Sequence, residues 1–399
     1  MPSICKTVEI APKIYWVGVE DWHRRLFDSL IPLPYGTSYN SYLVQGQNRA
    51  ALIDTVHANF SDEFLRKIAS LQELVKLDFL VMNHAEPDHS GSIPKVMAHV
   101  PSAKLVLTAK GVPFVKKFYG VDEARMMVVK EGDSIDLGGK TLQFIEAPWT
   151  HWPETMFTFV PEEKVLFPCD FFGTHIASDV LFDDEVGDLV IPTAKTYYAE
   201  IMMPLLYMAE KALEKAKARK PAVIAPSHGP VHRNPDRIMS AYEKWIKGPL
   251  EKKVVIIYVS MYGSTEKLAE TIRAALSAEG INAVPHNLVT SDAAGIAADL
   301  VDCSAIAIGI PTLLGNPHPA GSFALTLVKY LRPRAKLAAI FSSYGWSGGA
   351  LNVIRTQLDG LGFEIVDTLE IQGPPSEMET AKAVEMANKI ARRIQQPRA

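Results

Sequence analysis

The sequence has 399 residues, 48% hydrophobic and 22% charged, with 41 Lys+Arg against 45 Asp+Glu and a formal net charge of −4. That length accommodates two or three domains with real cores, and the balance excludes wholesale disorder and a nucleic-acid binder that works through a basic surface. The 3 cysteines include no CxxC pair, which excludes a disulfide scaffold, a Cys-based zinc knuckle and a thiolate-held iron–sulfur or rubredoxin-type centre, and fits a reducing, cytoplasmic setting.

The first residues lack the basic start and apolar core of a signal peptide. Up to about residue 250, β-branched and aromatic runs predict many short strands, at 13–18, 40–45, 50–54, 77–82, 104–108, 141–146, 155–160, 164–168 and 222–225. Helices are predicted at 61–72, 92–98, 194–218 and 234–247. In 194–218 the residues Ile201, Leu205, Met208, Ala212 and Leu213 recur at helical spacing. Strands with covering helices suggest a layered α/β sandwich. The pair Gly248-Pro249, followed by charges, marks a boundary between domains 1–250 and 251–399. The second part alternates regularly. Strands at 253–259, 281–285, 304–310, 336–342 and 364–370 are separated by helices at 265–278, 291–300, 321–331, 349–361 and 377–395. This is the pattern of a doubly wound parallel sheet of five strands, whose ligands bind at the carboxyl ends of the strands. The run from Cys303 to Val328 holds no Asp, Glu, Lys or Arg, but Pro311, Pro317 and Pro319 break it into a strand, a loop and a helix start rather than a membrane span.

Two sets of loops carry candidate chemistry. Directly after strand 77–82 come His84, Glu86, Asp88 and His89, and Glu86-Pro87 disfavours a continuing helix, so the segment reads as a loop able to wrap an ion. His151 follows strand 141–146, Asp170 follows 164–168 and His228 follows 222–225. Singly, each reads equally well as a loop residue making ordinary hydrogen bonds. Jointly they supply imidazoles and carboxylates at the ends of successive strands. In the second domain, Ser260, Met261, Tyr262, Gly263, Ser264 and Thr265 link strand 253–259 to a helix start, where hydroxyls and backbone N–H groups favour an anion. The loop matches neither GxGxxG nor GxxxxGK[ST]. Ser264 or Thr265 could instead be a plain N-cap. Two further loops, Pro311, Thr312, Leu313, Leu314, Gly315 and Ser343, Tyr344, Gly345, Trp346, Ser347, Gly348, follow central strands. Their glycines allow close backbone approach, and Tyr344 or Trp346 offers a stacking surface.

The ordered His and carboxylate set resembles the metallo-β-lactamase superfamily, whose motif is H-x-H-x-D-H followed by distant His, Asp and His. Glu86 stands in place of the second His, and a hard anionic donor moves the preference from zinc toward iron or manganese. The more specific resemblance, over essentially the full chain, is to the flavodiiron proteins, which carry H-x-E-x-D-H here. The glycine- and hydroxyl-rich loop at 260–265 likewise resembles the flavodoxin FMN-phosphate loop. The resemblance implies a metallo-β-lactamase-like αββα sandwich followed by a flavodoxin-like domain. It implies His84, Glu86 and His151 on one iron, Asp88, His89 and His228 on a second, Asp170 bridging, and FMN held by the three loops. It implies reduction of O2 to water, of NO to N2O, or both, with electrons relayed through FMN from an external donor, either rubredoxin or the reduced deazaflavin coenzyme F420H2. A head-to-tail homodimer or dimer of dimers follows by the same resemblance, with no nucleic acid and no membrane. His175 is implied to line the pocket beside the ligands or to donate a proton. Tyr197 or Tyr198 is implied to line it too, packing on the 194–218 helix being the alternative. Asp54, ending strand 50–54, is expected to orient the metal loop. Asp28 stands where many relatives have His, with His23 close by. A zinc hydrolase fused to a flavodoxin module and a non-catalytic electron carrier are the competing readings, disfavoured respectively by Glu86 and by the complete ligand set.

Overall fold

A computed structural model describes residues 7–396. They form two compact units, one of residues up to Ser29 and Leu33–Lys247, the other of Leu30–Pro32 and the residues from Gly248 onward.

In the first unit two sheets face each other. One has seven strands in the spatial order Val8–Ala11, Ile14–Trp16, Tyr42–Gln45, Ala50–Ile53, Phe79–Val81, Lys104–Thr108 and Met126–Val129. The other has five, Ser134–Asp136, Thr141–Glu146, Met156–Val160, Val165–Phe167 and Val223–Ile224. Strand alternation decides what each side chain meets. Val44, Ile53, Val81 and Val106 share one core with Phe144, Met156, Val160 and Phe167 of the opposite sheet. Their neighbours Leu43, Leu52, Leu80 and Leu105 turn to the other face and pack with Phe64 and Ile68 of helix Ser61–Leu71 and Val96 of helix Ile93–His99. On the far side of the second sheet, Phe157 meets Phe171, and Phe171 meets Tyr242 of helix Pro235–Lys247. Tyr242 in turn meets Tyr198 of helix Val190–Ile201. The layers are therefore helix, sheet, sheet, helix, as expected from sequence.

One expected helix is broken. The segment predicted as a single helix over 194–218 is Val190–Ile201, a 3-10 turn Met203–Leu205, and Leu206–Arg219. Pro204 is the cause, because its ring removes an N–H and clashes with the carbonyl one turn back. The break leaves Tyr197 and Tyr198 on the shorter first helix, both buried.

The second unit is a five-stranded sheet in the order Asn282–Asn287, Glu251–Tyr258, Cys303–Gly309, Leu337–Tyr344, Glu364–Gln372, with every neighbouring pair parallel. The order 2-1-3-4-5 is that of flavodoxin. The central strands are buried on both faces, which explains their unbroken apolar runs. The fourth strand extends to Tyr344, so Ser343 and Tyr344, expected in the loop, are its last two residues. Among the described residues no helix is long and apolar enough to cross a membrane.

The first unit also contains a carboxylate that opposes its own burial. Glu20 accepts from the Ser178 backbone N–H at 3.1 Å. Burial nevertheless pushes its pKa up to about 8. The unfolded chain ionises near 4.5, the folded one near 8, so the stability linked to this group is whole below about pH 4.5 and is lost as pH rises through 8. Glu20→Gln, which keeps the acceptor and cannot ionise, should therefore gain melting temperature over the wild type as pH rises from 6 to 8.5. A gain of about 2–4 °C per kcal/mol recovered is expected in melts of the metal-loaded protein. A difference that is flat across that range would refute it.

Candidate metal and flavin sites

The metal candidates stand on four loops, each leaving the carboxyl end of a strand. His84 and Glu86 follow strand Phe79–Val81, and residues two apart in extended chain share a side. The second half of this segment is not the loop expected from sequence. Pro87–Ser90 is a helical turn with Glu86 at its N-cap and Pro87 at the first helical position. Proline disfavours a helix through it but suits a helix starting on it. The turn carries Asp88 and His89, and the His89 ring lies 5.0 Å from that of His84. Asp54 orients the whole segment as expected, accepting from the Asn83 backbone N–H at 2.8 Å and from Asn83 Nδ2 at 3.0 Å.

The seven candidates converge. Glu86 Oε2 lies 3.2 Å from His84 Nε2 and 3.0 Å from His151 Nε2. Asp88 reaches His89 Nε2 at 3.6 Å through Oδ1 and His228 Nε2 at 3.1 Å through Oδ2. Asp170 spans both groups. Its Oδ2 is 3.6 Å from His84 Nε2, 3.3 Å from His151 Nε2 and 3.5 Å from His89 Nε2, and its Oδ1 is 3.3 Å from His228 Nε2. Ligand atoms of His84, Glu86, His151 and Asp170, and separately of Asp88, His89 and His228, lie within 4.8 Å of one another.

Burial by itself would raise Glu86 and Asp170, but the facing imidazoles win and hold both carboxyls below their ordinary range. Asp88 Oδ1, His89 Nδ1 and Asp170 Oδ2 are buried without a hydrogen-bond partner. Four imidazoles turned inward onto three carboxylates, with such orphaned atoms among them, are costly as an ordinary polar core and suit two divalent cations.

Sequence reasoning missed the supports of this cluster. Glu154 Oε1 sits 2.7 Å from His84 Nδ1 and accepts from the Ala85 N–H at 3.0 Å, fixing which ring nitrogen His84 presents. The Ser38 carbonyl does the same for His228, accepting from Nδ1 at 2.7 Å. Asn40 donates to the carbonyls of Pro226 and Gly229 and so pins the loop that carries His228. The clue to Glu154 was its place three residues after His151. Nothing local marked Ser38, whose contribution is a backbone atom. Tyr197 donates to Asp170 Oδ1 at 3.0 Å, while Tyr198 faces Tyr242 and Trp245. His175 lines a cavity of about 180 Å³ beside the cluster, along with Arg24, Asp28, His57, Glu86 and Asp88. His23 is exposed and does not line it.

In the second unit the first loop leads into helix Ser264–Ala278, whose N-cap is Gly263 in the left-handed region with no side-chain cap. Ser264 and Thr265 are thus inside the helix and are not N-caps. Thr265 Oγ1 instead pairs with Ser343 Oγ at 2.8 Å, tying the start of this helix to the end of strand Leu337–Tyr344. The first-turn N–H groups are left for an outside acceptor, which suits a phosphate. The second loop is a small ribbon, Thr312–Leu313 paired with Asn316–Pro317. It lies so close to the third that a Cβ on Gly349 would sit 2.4 Å from the Gly315 carbonyl oxygen. The loop tips carry exposed apolar side chains, Tyr262 at 94%, Leu314 at 78% and Trp346 at 79%. The residues fit FMN, with a phosphate at the helix start and a ring between two glycine-rich loops.

Comparison with known proteins agrees with both halves. Residues 37–229 match the family described as ODP family beta lactamase, and residues 256–386 match flavodoxin. A nitric oxide reductase of Moorella thermoacetica is 38% identical, covering 97% of this chain and 98% of its own. A coenzyme F420H2 oxidase of Methanocaldococcus jannaschii is 36% identical over 97% of each chain. The crystal structure of the flavodiiron protein of Giardia intestinalis superposes with a TM-score of 0.94 at 31% identity, covering 99% of this chain and 98% of that one. Fold and sites together define a metal- and flavin-dependent oxidoreductase with a lactamase-like domain and a flavodoxin domain. The chain belongs to the flavodiiron protein family, whose cofactors are a diiron centre and FMN.

Proposed function

We propose that this protein reduces NO to N2O, O2 to water, or both, with electrons passed through FMN from an external donor. The convergence of seven ligands into two groups sharing Asp170 carries the reading. In it, His84, Glu86 and His151 hold one iron, Asp88, His89 and His228 the other, and Asp170 bridges. When bound, the iron pair and a reduced FMN supply two electrons each, and a flavin takes electrons in pairs and releases them singly. The chain's own residues do the rest. Glu154 and the Ser38 carbonyl orient His84 and His228. Tyr197 holds Asp170 in place. His175, Arg24, Asp28 and His57 shape the cavity through which a small diatomic reaches the cluster.

The domains in this reading are 1–250 for the iron and 251–399 for FMN. The donor in this reading is rubredoxin or F420H2, the latter supported by the likeness to a coenzyme F420H2 oxidase. A head-to-tail homodimer or a dimer of dimers, in the cytoplasm, completes the reading. The exposed Tyr262, Leu314 and Trp346 around the flavin loops support an assembly that covers them.

The test is an anaerobic assay of purified protein with each donor against NO and O2, alongside iron and FMN content. Two irons and one FMN per chain with N2O formed or O2 consumed are expected. Zinc alone, with no reductase activity after iron loading, would overturn the reading in favour of a hydrolase. Glu86→Ala should lose iron and gas reduction while keeping FMN, and full turnover in that variant would show the site to be misplaced.

A further inference from the structure

We propose that His232 is a positioning residue for Asp170, acting through the Phe172 carbonyl to hold the turn that presents this carboxylate to both metal positions. The role rests on Asp170 being the shared ligand, as read above.

The turn that carries Asp170 has an unfavourable backbone. Cys169 has a φ of +53° and Phe172 a φ of +71°, so left-handed residues bracket Asp170 and Phe171. Neither is glycine, and an L side chain in that region crowds its own carbonyl. The Gly173 N–H closes the turn on the Asp170 carbonyl at 2.9 Å. Cys169, Asp170, Phe171 and Phe172 are all buried, so their peptide groups need partners inside the protein. Strained backbone of this kind persists where its surroundings over-determine it.

For Phe172 those surroundings are two side chains. Its N–H donates to the Tyr242 hydroxyl oxygen at 3.1 Å. Its carbonyl lies 3.1 Å from His232 Nε2. A carbonyl has no hydrogen to give, so the hydrogen of this bond sits on Nε2. His232 is buried, and Asp183 Oδ2 lies 3.9 Å from the other ring nitrogen, beyond hydrogen-bond reach. With both of its polar groups held, Phe172 cannot leave the left-handed region without giving up one of these bonds.

His232 also ties this turn to the loop of a second ligand. Its backbone pairs with Ile224 in both directions, the His232 N–H to the Ile224 carbonyl at 2.8 Å and the Ile224 N–H to the His232 carbonyl at 3.1 Å. The loop closed by that pairing carries His228. Within it the Ser227 N–H donates to the Cys169 carbonyl at 2.8 Å, and the His228 carbonyl accepts from the Thr174 N–H at 3.2 Å. The His232 ring adds a side-chain tie on the other side of Asp170 from Cys169. The relative placement of the two loops sets the 3.3 Å between Asp170 Oδ1 and His228 Nε2. Without the His232 donor, the turn gains by relaxing toward negative φ and carries Asp170 with it.

The test uses the full chain with iron and FMN. His232→Gln reaches as far as Nε2 and keeps a donor for the Phe172 carbonyl, whereas His232→Asn falls short and His232→Leu has none. An iron pair in its mixed-valence state gives an EPR signal that arises from coupling through shared ligands, so its g values report the bridge. At full iron loading His232→Asn and His232→Leu should shift that signal and bind iron about tenfold more weakly, and His232→Gln should return both toward the wild type. A lost packing contact alone would lower the melting temperature of all three variants and leave the signal in place. An unshifted signal in His232→Asn and His232→Leu overturns the proposal, as does a shift that His232→Gln fails to restore. In the wild type labelled with 15N at histidine, carrying zinc in place of iron, His232 should be protonated on Nε2, its NMR signal identified by its loss in His232→Gln. An unprotonated Nε2 overturns the proposal even if His232→Asn and His232→Leu do not fold. A wild type with two irons and no coupled signal overturns the bridging role of Asp170 and the proposal with it. None of these measurements uses NO or O2, so failure here is separate from failure of the reductase reading.

Discussion

Asp170→Asn is expected to remove tight binding of the iron pair and nearly all gas reduction, while FMN content and the fold survive. Asp170 is the one side chain in the cluster whose two oxygens face histidines of both groups, His84 and His151 on one side and His89 and His228 on the other. Asparagine has the same shape and keeps an oxygen to accept from Tyr197, so the loop after strand Val165–Phe167 has no reason to move. Its amide N–H can donate to a neutral imidazole, which makes the metal-free site more comfortable than before. What disappears is one of three negative charges set against two divalent cations, and with it the shared oxygen donor. A loss of about 4 kcal/mol of transition-state stabilisation corresponds to about 10³-fold in rate, and the variant should lose at least that. Iron analysis, flavin absorbance and a thermal melt on one preparation check the three parts together. Two irons retained with wild-type turnover would show that Asp170 does not bridge.

The division between what is and is not legible in the residues follows the range of the forces involved. Strand alternation is local, so Val44 and Leu43, or Ile53 and Leu52, declare opposite faces by their spacing alone. The metal candidates are legible for a topological reason. Each sits just past the carboxyl end of a strand, and those ends are brought together by the sheets. The flavin loops are legible for the same reason in the parallel sheet. Pro204, by contrast, is plain in the sequence but outweighed there by the apolar spacing around it, although a proline in a helix interior costs about 3 kcal/mol. Pro87 reads as excluding a helix where it begins one. The supports of the site are out of reach because they are long-range pairs. Glu154 meets His84 across 70 residues, Ser38 meets His228 across 190, and Thr37 meets His175 across 138. No spacing rule links positions that only the closed sandwich brings side by side.

Lys253→Met should unfold the flavodoxin unit about 10–15 °C earlier and release FMN in the same transition. Lys253 is the third residue of the strand Glu251–Tyr258 and is buried, with its ammonium ion-paired to Asp302 and 3.2 Å from Asp299. Asp302 is buried at the start of the neighbouring strand Cys303–Gly309, and Asp299 lies on helix Ala293–Leu300, where it also meets His286 Nε2 at 3.0 Å. One cation thus joins two strands and a helix. Burial alone would lower its pKa, but the two carboxylates prevail and raise it, so the charge is fully present at neutral pH. Methionine fills the space of the stem and removes only the charge. Asp302 then stays buried with the Lys253 ammonium gone, and breaking such a pair from one side costs about 3–5 kcal/mol. At about 2–4 °C per kcal/mol this gives the expected shift. The second variant separates charge from packing. Adding Asp302→Leu to Lys253→Met removes the carboxylate that faced the ammonium, and replacing a whole buried pair by apolar side chains is close to neutral. The double variant should therefore recover most of the lost melting temperature and hold FMN again. If it is as unstable as Lys253→Met alone, the lysine acts through its alkyl stem and the ion pair contributes nothing.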